Sequence, residues 1–405
     1  MNRVAHKTPG WREVQLADIV DQDSPICYGI VLPGDHVDDG VPVIKVKDIA
    51  QGGVRTAGLL QTSPIIDAKY KRSRLIGGDI LLSIRGTVGR LGVVPNELTG
   101  ANITQDTARI RISCSETRAY VYQALQSDDL QVQIRDHVVG QAVKGINIRD
   151  VKRLKLLLPS GRHAQRYIAE LLKTQDTAIQ KTEQLIAAKA RHYSHELSRL
   201  ISRGQHPHGH IGAFADEVST RNRGGNEARV LSVTNSRGFV LPEDQFERRV
   251  ASADLSNYKV VRRGQYAYNP SRINVGSIAR LDGWGDGVLS PMYVVFRLDE
   301  DKVNSDYFLH WLNSHEARQR IKNSAQGSVR ESVSFSEFAA ITIPLPDTNT
   351  QTAIARYLNA LREEVDLLGQ SVAALKTQKR GLMQKLLTGQ WRLPAQDNAE
   401  EATNA

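Results

Sequence analysis

A glycine-rich segment in the first half of the chain carries groups suited to gripping a nucleic acid. The segment reads Ser83-Ile-Arg-Gly-Thr-Val-Gly-Arg90 and lies between two stretches of strong strand propensity. Glycine lets a backbone approach a partner closely, and Arg85 and Arg90 have the right chemistry for phosphate or for the O6 and N7 edge of guanine. A β-hairpin with solvated arginines would show the same pattern, so the segment alone leaves both interpretations open.

A second segment with related chemistry occupies the corresponding place in the second half. Tyr268-Asn-Pro-Ser-Arg272-Ile-Asn274 combines aromatic, amide, hydroxyl and guanidinium groups. Equivalent loops with different residues are what two modules reading two different DNA sequences would carry. We therefore predict that both loops and nearby polar residues contact DNA. The predicted contact residues are Lys45, Lys47, Arg85, Thr87, Arg90, Gln105, Lys144, Thr234, Asn235, Tyr268, Asn269, Ser271, Arg272, Asn274 and Arg330.

The sequence offers no local motif for catalysis. Asn269-Pro270 begins like the Asn-Pro-Pro-aromatic motif of adenine methyltransferases, but Ser271 and Arg272 replace the second proline and the ring. Neither a glycine-rich cofactor loop nor a GxxxxGK[ST] phosphate loop is present. The histidine-rich stretch 206–210 lacks cysteines or carboxylates at ligand spacing, so we interpret it as a linker. We predict no catalytic residue, cofactor or metal in this chain.

The two halves of the chain resemble each other at a nearly constant offset. Gln165–Leu172 matches Gln351–Leu358, and Gly78–Ile84 matches Gly264–Pro270, both at an offset of 186 residues. The chain is therefore one unit written twice. Two copies with so long a period indicate a duplication rather than a solenoid, whose repeats are much shorter.

Two long helices are predicted, one at the end of each copy, over Arg162–Arg203 and Thr348–Gly389. Their apolar residues recur at alternating steps of four and three, which is typical of a coiled-coil seam. In the second helix only Lys379 interrupts this seam. The order module, helix, module, helix favours antiparallel pairing of the helices about a pseudo-two-fold axis.

The modules that precede these helices are predicted to be mixed and strand-rich, so the fold class is α+β with two such domains in tandem. Alternation predicts strands over residues 41–49 and 103–112, and helical periodicity predicts helices over 119–134 and 307–321. The predicted divisions are a first domain at 1–158, a first long-helix region at 159–205, a second domain at 206–345, a second long-helix region at 346–391 and a disordered acidic tail at 392–405.

Composition favours a cytoplasmic protein with a polyanionic partner. The net charge is +9 and the pI is about 9.5, which points to nucleic acid, although many proteins are mildly basic. The sequence has no apolar run long enough to span a membrane and no secretory signal, so we predict no membrane partner. Cys27 and Cys114 stand alone, without a CxxC spacing.

With these residues in view, the chain resembles the specificity subunits of type I restriction–modification systems over nearly its whole length. The resemblance rests on the duplicated order and on three motifs. These are Gly78-Asp-Ile-Leu-Leu-Ser-Ile-Arg-Gly, Ile341-Thr-Ile-Pro-Leu-Pro346 followed by Gln351, and the closing Leu382-Met-Gln-Lys-Leu-Leu-Thr-Gly-Gln-Trp-Arg392. One departure is Leu158-Pro-Ser-Gly, where the family usually has Pro-Leu-Pro-Pro.

The resemblance implies a non-catalytic reader of double-stranded DNA. Its two modules would be target-recognition domains, each reading one half of a split, asymmetric site. The long helices would dock two modification subunits, which bind S-adenosylmethionine and methylate adenine N6. Two restriction subunits would add ATP- and magnesium-dependent translocation and cleavage.

Two other functions remain open on the residues alone. The chain could be a coiled-coil scaffold whose modules bind proteins, in which case DNA affinity would lack the steep salt dependence of phosphate contacts. It could also be a stand-alone DNA methyltransferase or nuclease, which the missing cofactor loop argues against.

Overall fold

The computed structural model describes residues 9–50, 53–140, 144–225, 227–244, 254–325 and 332–391. They form two compact units. Unit 1 comprises the chain through Thr182 together with residues from Ser371 onward, and unit 2 comprises Glu183–Gln370. This division runs through both long helices, whereas the predicted domains treat each helix as a segment of its own. The predicted tail, 392–405, lies outside the described residues.

Unit 1 mixes short strands and helices around the first predicted loop. Its strands are β1 (Trp11–Gln15), β2 (Cys27–Tyr28), β3 (Val41–Ile44), β4 (Ile49–Ala50), β5 (Gly53–Val54), β6 (Leu60–Thr62), β7 (Ile80–Ser83), β8 (Leu91–Val93), β9 (Asn102–Ile103), β10 (Thr107–Ile110) and β11 (Lys155–Pro159). Its helices are α1 (Pro64–Ala68), α2 (Ser115–Leu125), α3 (Asp128–Asp136), α4 (Ile148–Lys152) and the first part of α5 (Arg162–Leu197).

Unit 2 has the same kinds of elements. Its strands are β12 (His208–His210), β13 (Ala215–Glu217), β14 (Ser232–Thr234), β15 (Gly238–Val240), β16 (Lys259–Val261), β17 (Tyr266–Tyr268), β18 (Ile278–Arg280), β19 (Gly287–Leu289), β20 (Val294–Leu298) and β21 (Thr342–Pro344). Its helices are α6 (Ser305–Leu312), α7 (His315–Ala325), α8 (Phe335–Ala339) and the first part of α9 (Thr348–Leu386), whose last turns belong to unit 1.

Each unit is built on a four-stranded antiparallel sheet with the same arrangement. The order is β2-β10-β7-β8 in unit 1 and β13-β20-β17-β18 in unit 2. An additional antiparallel pair joins the start of each module to its end, namely β1 with β11 and β12 with β21. This repeated topology confirms the duplication inferred from the sequence.

Strands β7 and β17, which are inner strands of their sheets, are buried on both faces. Side chains of a strand point alternately to opposite faces. In β7, Ile80 and Leu82 enter the core that contains the helices, whereas Leu81 enters a second core with Ile103. This two-sided burial explains why the first three residues of β7 are all apolar instead of alternating with polar ones.

The two long helices are present close to their predicted bounds. After Leu197, α5 continues as a π-helical turn, Ser198–Ser202. Within unit 2, Lys189 Nζ of α5 lies 2.8 Å from Glu364 Oε1 of α9, and Arg199 lies within electrostatic reach of Tyr357. Residue numbers rise along one helix as they fall along the other, so the helices are antiparallel there, as predicted.

Lys379, which interrupts the apolar seam of α9, belongs to a polar cluster within unit 1. Its Nζ lies 2.5 Å from Asp176 Oδ1 on α5 and 3.3 Å from Gln126 Oε1. Gln123 Nε2 of α2 donates to the other carboxylate oxygen at 3.0 Å. The interruption is therefore an ion pair that ties both long helices to the module.

A neutral polar bridge ties α6 to both long helices within unit 2. His310 Nε2 donates to Asn359 Oδ1 at 2.8 Å, and the Tyr193 hydroxyl lies 2.8 Å from His310 Nδ1. Because Nε2 is the donor, Nδ1 accepts from the tyrosine. Burial lowers the pKa of His310, which favours this neutral imidazole.

Several predicted elements are shorter than expected because side chains bond to nearby backbone groups. The strand predicted over 41–49 ends at Ile44, since Asp48 accepts from the Lys45 amide and closes a 3-10 turn. The helix predicted over 119–134 is split into α2 and α3, because Ser127 caps a new helix by accepting from the Leu130 amide.

Three further predictions need correction. The strand predicted over 103–112 is divided into β9 and β10 by a turn at 104–106. The helix predicted over 307–321 is divided into α6 and α7, with Ser314 Oγ accepting from the Ala317 amide. The stretch 206–210 is not a simple linker, because its last residues form β12 and pair with β21.

Candidate nucleic-acid interface

The loop after β7 is held in shape by the buried Ser83. Its hydroxyl donates to the Thr87 carbonyl at 2.5 Å and accepts from the Arg90 amide at 2.8 Å. Gly89 adopts a left-handed φ of 94°, which a residue with a side chain rarely takes. The Ser83 hydroxyl and the backbone at Gly89 therefore fix the turn, which leaves the side chains of Arg85, Thr87 and Arg90 exposed.

The structure brings together three predicted contact residues that are far apart in sequence. Arg85 Nη1 donates to Gln105 Oε1 at 3.0 Å. The Gly86 amide donates to the Lys144 carbonyl at 3.0 Å, so the exposed Lys144 follows the same edge. A glutamine that fixes one edge of a guanidinium leaves its remaining donors oriented toward a partner.

Lys45 and Lys47 lie in the turn that follows β3. The Ile44 carbonyl, directly before this turn, accepts from the Thr104 amide at 3.2 Å, which places Lys45 beside the segment that carries Gln105. Lys47 is exposed and Lys45 is half-buried. Both lysines thus add positive charge near the exposed residues of the loop.

In unit 2, a cleft of about 780 Å³ opens between the β14–β15 turn and the loop after β17. Asn235 from the turn and Asn274 from the loop both line it. The two segments are joined because Ser277 Oγ donates to the Val233 carbonyl at 2.8 Å. Amide side chains from two separate predicted segments therefore face one space.

The structure contradicts the predicted DNA contact of the Tyr268 side chain, whereas Thr234 lines the cleft but is barely accessible. Tyr268 is fully buried and packs against Phe296 and Phe338, because it shares the core-facing side of β17 with Tyr266. Thr234 is 9% exposed, and its hydroxyl closes the β14–β15 turn. Its Oγ1 accepts from the Arg237 amide at 3.0 Å and donates to the Gly238 carbonyl at 3.1 Å.

The remaining predicted residues of unit 2 differ in their placement. Asn269 shapes the loop, since its Oδ1 accepts from the Ser271 amide at 3.0 Å. Ser271 and Arg272 are exposed at the tip of the loop and are free to meet a partner there. Arg330 lies outside the described residues.

Sequence reasoning missed three arginines that line the unit 2 cleft, namely Arg237, Arg318 and Arg362. They come from the β14–β15 turn, from α7 and from α9. A fourth, Arg280, is neutralised in place by Asp282 at 2.8 Å and Asp306 at 2.7 Å. Burial alone would lower the pKa of Arg280, but these carboxylates hold it above the ordinary value. The repeat offset was the one signal that could have directed attention to Arg318.

The corresponding cleft of unit 1 has a different lining. It encloses about 510 Å³ between the loop at Gly89 and helices α2 and α3. Tyr122, Gln126 and Gln131 line its helical side. Burial raises the pKa of Tyr122 to about 12, so this phenol stays neutral at physiological pH. The helical side of the cleft therefore carries neutral groups in unit 1, where Arg90 of the loop is the one lining cation among the described residues, and it carries arginines in unit 2.

Two features are absent from the part of the chain that the structure describes. No cluster of three or more histidine, cysteine, aspartate or glutamate side chains is placed to hold a metal ion there. No helix within the described ranges has the length and apolar character needed to cross a membrane.

A family model for the type I restriction modification DNA specificity domain matches residues 10–188 and 271–377, which is more than half of the chain. The chain belongs to this family. The resemblance inferred from the sequence is thereby confirmed. The first matched range contains Arg85, Gln105 and Lys144, and the second contains Asn274. Asn235 lies outside both ranges, so its placement rests on the geometry of the cleft.

Individual relatives agree with this family. The chain is 29% identical to the Type I restriction enzyme EcoBI specificity subunit of Escherichia coli, over 62% of this chain and 50% of that protein. It therefore spans about half the length of that relative. It is 20% identical to the putative type I restriction enzyme MjaX specificity subunit of Methanocaldococcus jannaschii, over 95% of this chain and 94% of that protein.

A solved structure has a similar fold. The S subunit of a type I restriction-modification system from M. genitalium matches with a TM-score of 0.56 and 15% identity, covering 95% of this chain and 98% of that chain. Likeness at this low identity bears on the fold alone. It agrees with the α+β architecture of two strand-rich specificity domains and long helices described above.

Proposed function

We propose that this chain is the DNA-reading, non-catalytic subunit of a type I restriction–modification complex. Units 1 and 2 contain its two target-recognition domains, and each domain reads one half of a split, asymmetric site in double-stranded DNA. The observation that carries the proposal is that one strand order is built twice with different side chains on corresponding loops.

The accessible polar groups on these loops suit the reading of base edges. Unit 1 presents Arg85 braced by Gln105, and unit 2 presents Asn235 and Asn274 along one cleft. Guanidinium groups pair with the O6 and N7 atoms of guanine, and side-chain amides pair with adenine. The net charge of +9 favours binding to the polyanionic backbone.

The proposal assigns all chemistry to partner subunits. Two modification subunits bind S-adenosylmethionine and methylate adenine N6, and two restriction subunits supply ATP-driven translocation and magnesium-dependent cleavage. Family membership supports this division, because the relatives are named as specificity subunits of type I restriction enzymes. The cytoplasmic location expected from the sequence belongs to the same proposal.

The test is methylome sequencing in a host that lacks DNA methylation of its own. The host expresses the cognate modification subunit with and without this chain. The expected result is a new two-part motif with N6-methyladenine on both strands, present only when both proteins are expressed. Replacing residues 206–345 by those of a relative should change one half of that motif and leave the other intact.

Two outcomes would contradict the proposal. Methylation that appears with this chain alone would make the chain an enzyme. Failure of the two proteins to co-purify, together with absence of any motif, would favour a protein-binding scaffold.

A further inference from the structure

The unit 2 cleft carries more cationic side chains than its unit 1 counterpart, where Arg90 is the one cation among the described lining residues. Among the described residues that line the unit 2 cleft, Asp282 is the one carboxylate, and it is bonded to Arg280. Arg280 has a second carboxylate partner in Asp306, which is not among the lining residues, and Arg318 and Arg362 add two further positive charges. Among the residues that the structure describes, no carboxylate lies within ion-pairing distance of Arg318 or Arg362. The cleft is therefore a site of net positive charge.

The two clefts occupy equivalent places in the duplicated fold. Gly89 and Gly276 are 187 residues apart, and both have a left-handed φ, 94° and 96° respectively. Gln131 and Arg318 are separated by the same 187 residues, on α3 and α7. Each of them faces the glycine loop of its own unit across the cleft.

The groups at these equivalent positions behave differently. Gln131 Nε2 donates to the Gly89 carbonyl at 3.2 Å and to the Leu125 carbonyl at 2.8 Å, so it ties the loop of unit 1 to the helices. Arg318 is exposed and presents a charge to the cleft of unit 2. Both copies thus have the cleft, but unit 2 has the cation Arg318 at the position where Gln131 of unit 1 bonds to the loop backbone.

We infer that the unit 2 cleft binds backbone phosphates of the DNA strand, with Arg318 and Arg362 as the contacting groups. The inference rests on the proposed function and extends it, because Asn235 and Asn274, the amides suited to base edges, line the same cleft. Phosphate contacts fix the register of a protein on the duplex, while base contacts carry the sequence preference. The unit 2 cleft therefore contributes part of the salt-dependent affinity.

The experiment measures DNA affinity against salt for the complex of this chain with its modification subunit, using the duplex identified by methylome sequencing. Removing one arginine that binds a phosphate should reduce the slope of log K against log salt by about 0.9. Arg318→Ala and Arg362→Ala should each show this reduction, and the double variant about twice as much. The methylated motif should stay unchanged.

Two variants serve as matched controls. Arg263→Ala removes one exposed arginine of unit 2 that does not line the cleft, and it should leave the slope unchanged. Arg135→Ala removes one exposed arginine of α3 in unit 1 that does not line the unit 1 cleft, and it too should leave the slope unchanged. Duplexes with single neutral methylphosphonate linkages provide a second readout, since the linkage that weakens the unaltered complex should have no further effect on the double variant.

The outcomes separate this inference from the proposed function. If the unaltered complex shows no sequence preference, the proposed function fails. If it shows preference but the double variant has the same slope as Arg263→Ala, only the phosphate inference is overturned. A change of preferred base would mean that an arginine reads sequence. Dissociation of the modification subunit with normal salt dependence would mean that the cleft binds protein, and either result would also overturn the inference.

Discussion

Replacing Asp176 should destabilise unit 1 more than replacing Lys379, although the two residues form one ion pair. The Lys379 side chain is 11% exposed and that of Asp176 is 38% exposed. Asp176→Ala leaves the ammonium group with Gln126 as its remaining partner. Lys379→Met leaves a carboxylate that keeps both access to water and its hydrogen bond from Gln123.

The magnitude follows from this difference in burial. Breaking a fully buried ion pair costs about 3–5 kcal/mol, whereas an exposed pair contributes about 0–1 kcal/mol. Because the Asp176 side chain is 38% exposed, this pair lies between the two limits, and we expect Asp176→Ala to cost about 2 kcal/mol. Lys379→Met should cost less than about 1 kcal/mol, because methionine restores the apolar seam of α9.

Hydrogen exchange followed by mass spectrometry is the appropriate assay, since it reports local opening of the α9 residues in unit 1 even if the units unfold separately. Lys189→Met provides the control, because the side chains of its pair with Glu364 are 34% and 42% exposed, and such a pair should contribute less than about 1 kcal/mol. If Lys379→Met proves as costly as Asp176→Ala, the unpaired buried ammonium group of Lys379 is not what destabilises the Asp176→Ala variant.

Three further predictions concern other groups. Burial lowers the pKa of His310, so the unfolded chain takes up the proton first as the pH falls. The stability of unit 2 should therefore decrease as the pH drops below about 6.5 and level off below the pKa of the folded state. Thermal unfolding of His310→Gln should show a weaker pH dependence. Arg85→Ala should weaken binding to the preferred duplex by about 1–3 kcal/mol if Arg85 reads guanine, and Gln105→Ala should weaken it less. If Arg85→Ala weakens binding equally on every DNA sequence, Arg85 contacts a phosphate instead. Tyr268→Phe should leave the methylated motif unchanged. It should raise the melting temperature slightly, because it removes a buried hydroxyl that has no partner among the described residues. A changed motif would show that Tyr268 contacts DNA.

The features that were predictable from the sequence depend on local spacing or on direct repetition. The apolar period of α5 and α9 follows from helix geometry, so it can be read without knowing the partner helix. The duplication is visible as a constant offset and does not depend on how either copy folds. The family was recognisable for the same reason, because its motifs recur in a fixed order along the chain.

Side-chain burial was less predictable, because it depends on which face of a strand meets the core. Tyr266 and Tyr268 lie on the same side of β17, and the packing of Phe296 and Phe338 on that side makes both of them core residues. Nothing in the loop sequence distinguishes a tyrosine that faces DNA from one that faces the core. The error at Tyr268 is therefore an error of orientation rather than of loop position.

Sequence alone determined that this protein is a duplicated α+β chain with long helices and the motifs of a DNA specificity subunit, because periodicity, repetition and motif order are properties of the chain itself. Tertiary structure alone decided which groups meet. Arg85 bonds to Gln105, which is 20 residues away in the sequence, and Lys379 bonds to Asp176, which is 203 residues away. Arg318 and Arg362 converge on one cleft from two different helices. Such meetings depend on strand pairing and helix packing over long separations, which local sequence patterns do not encode.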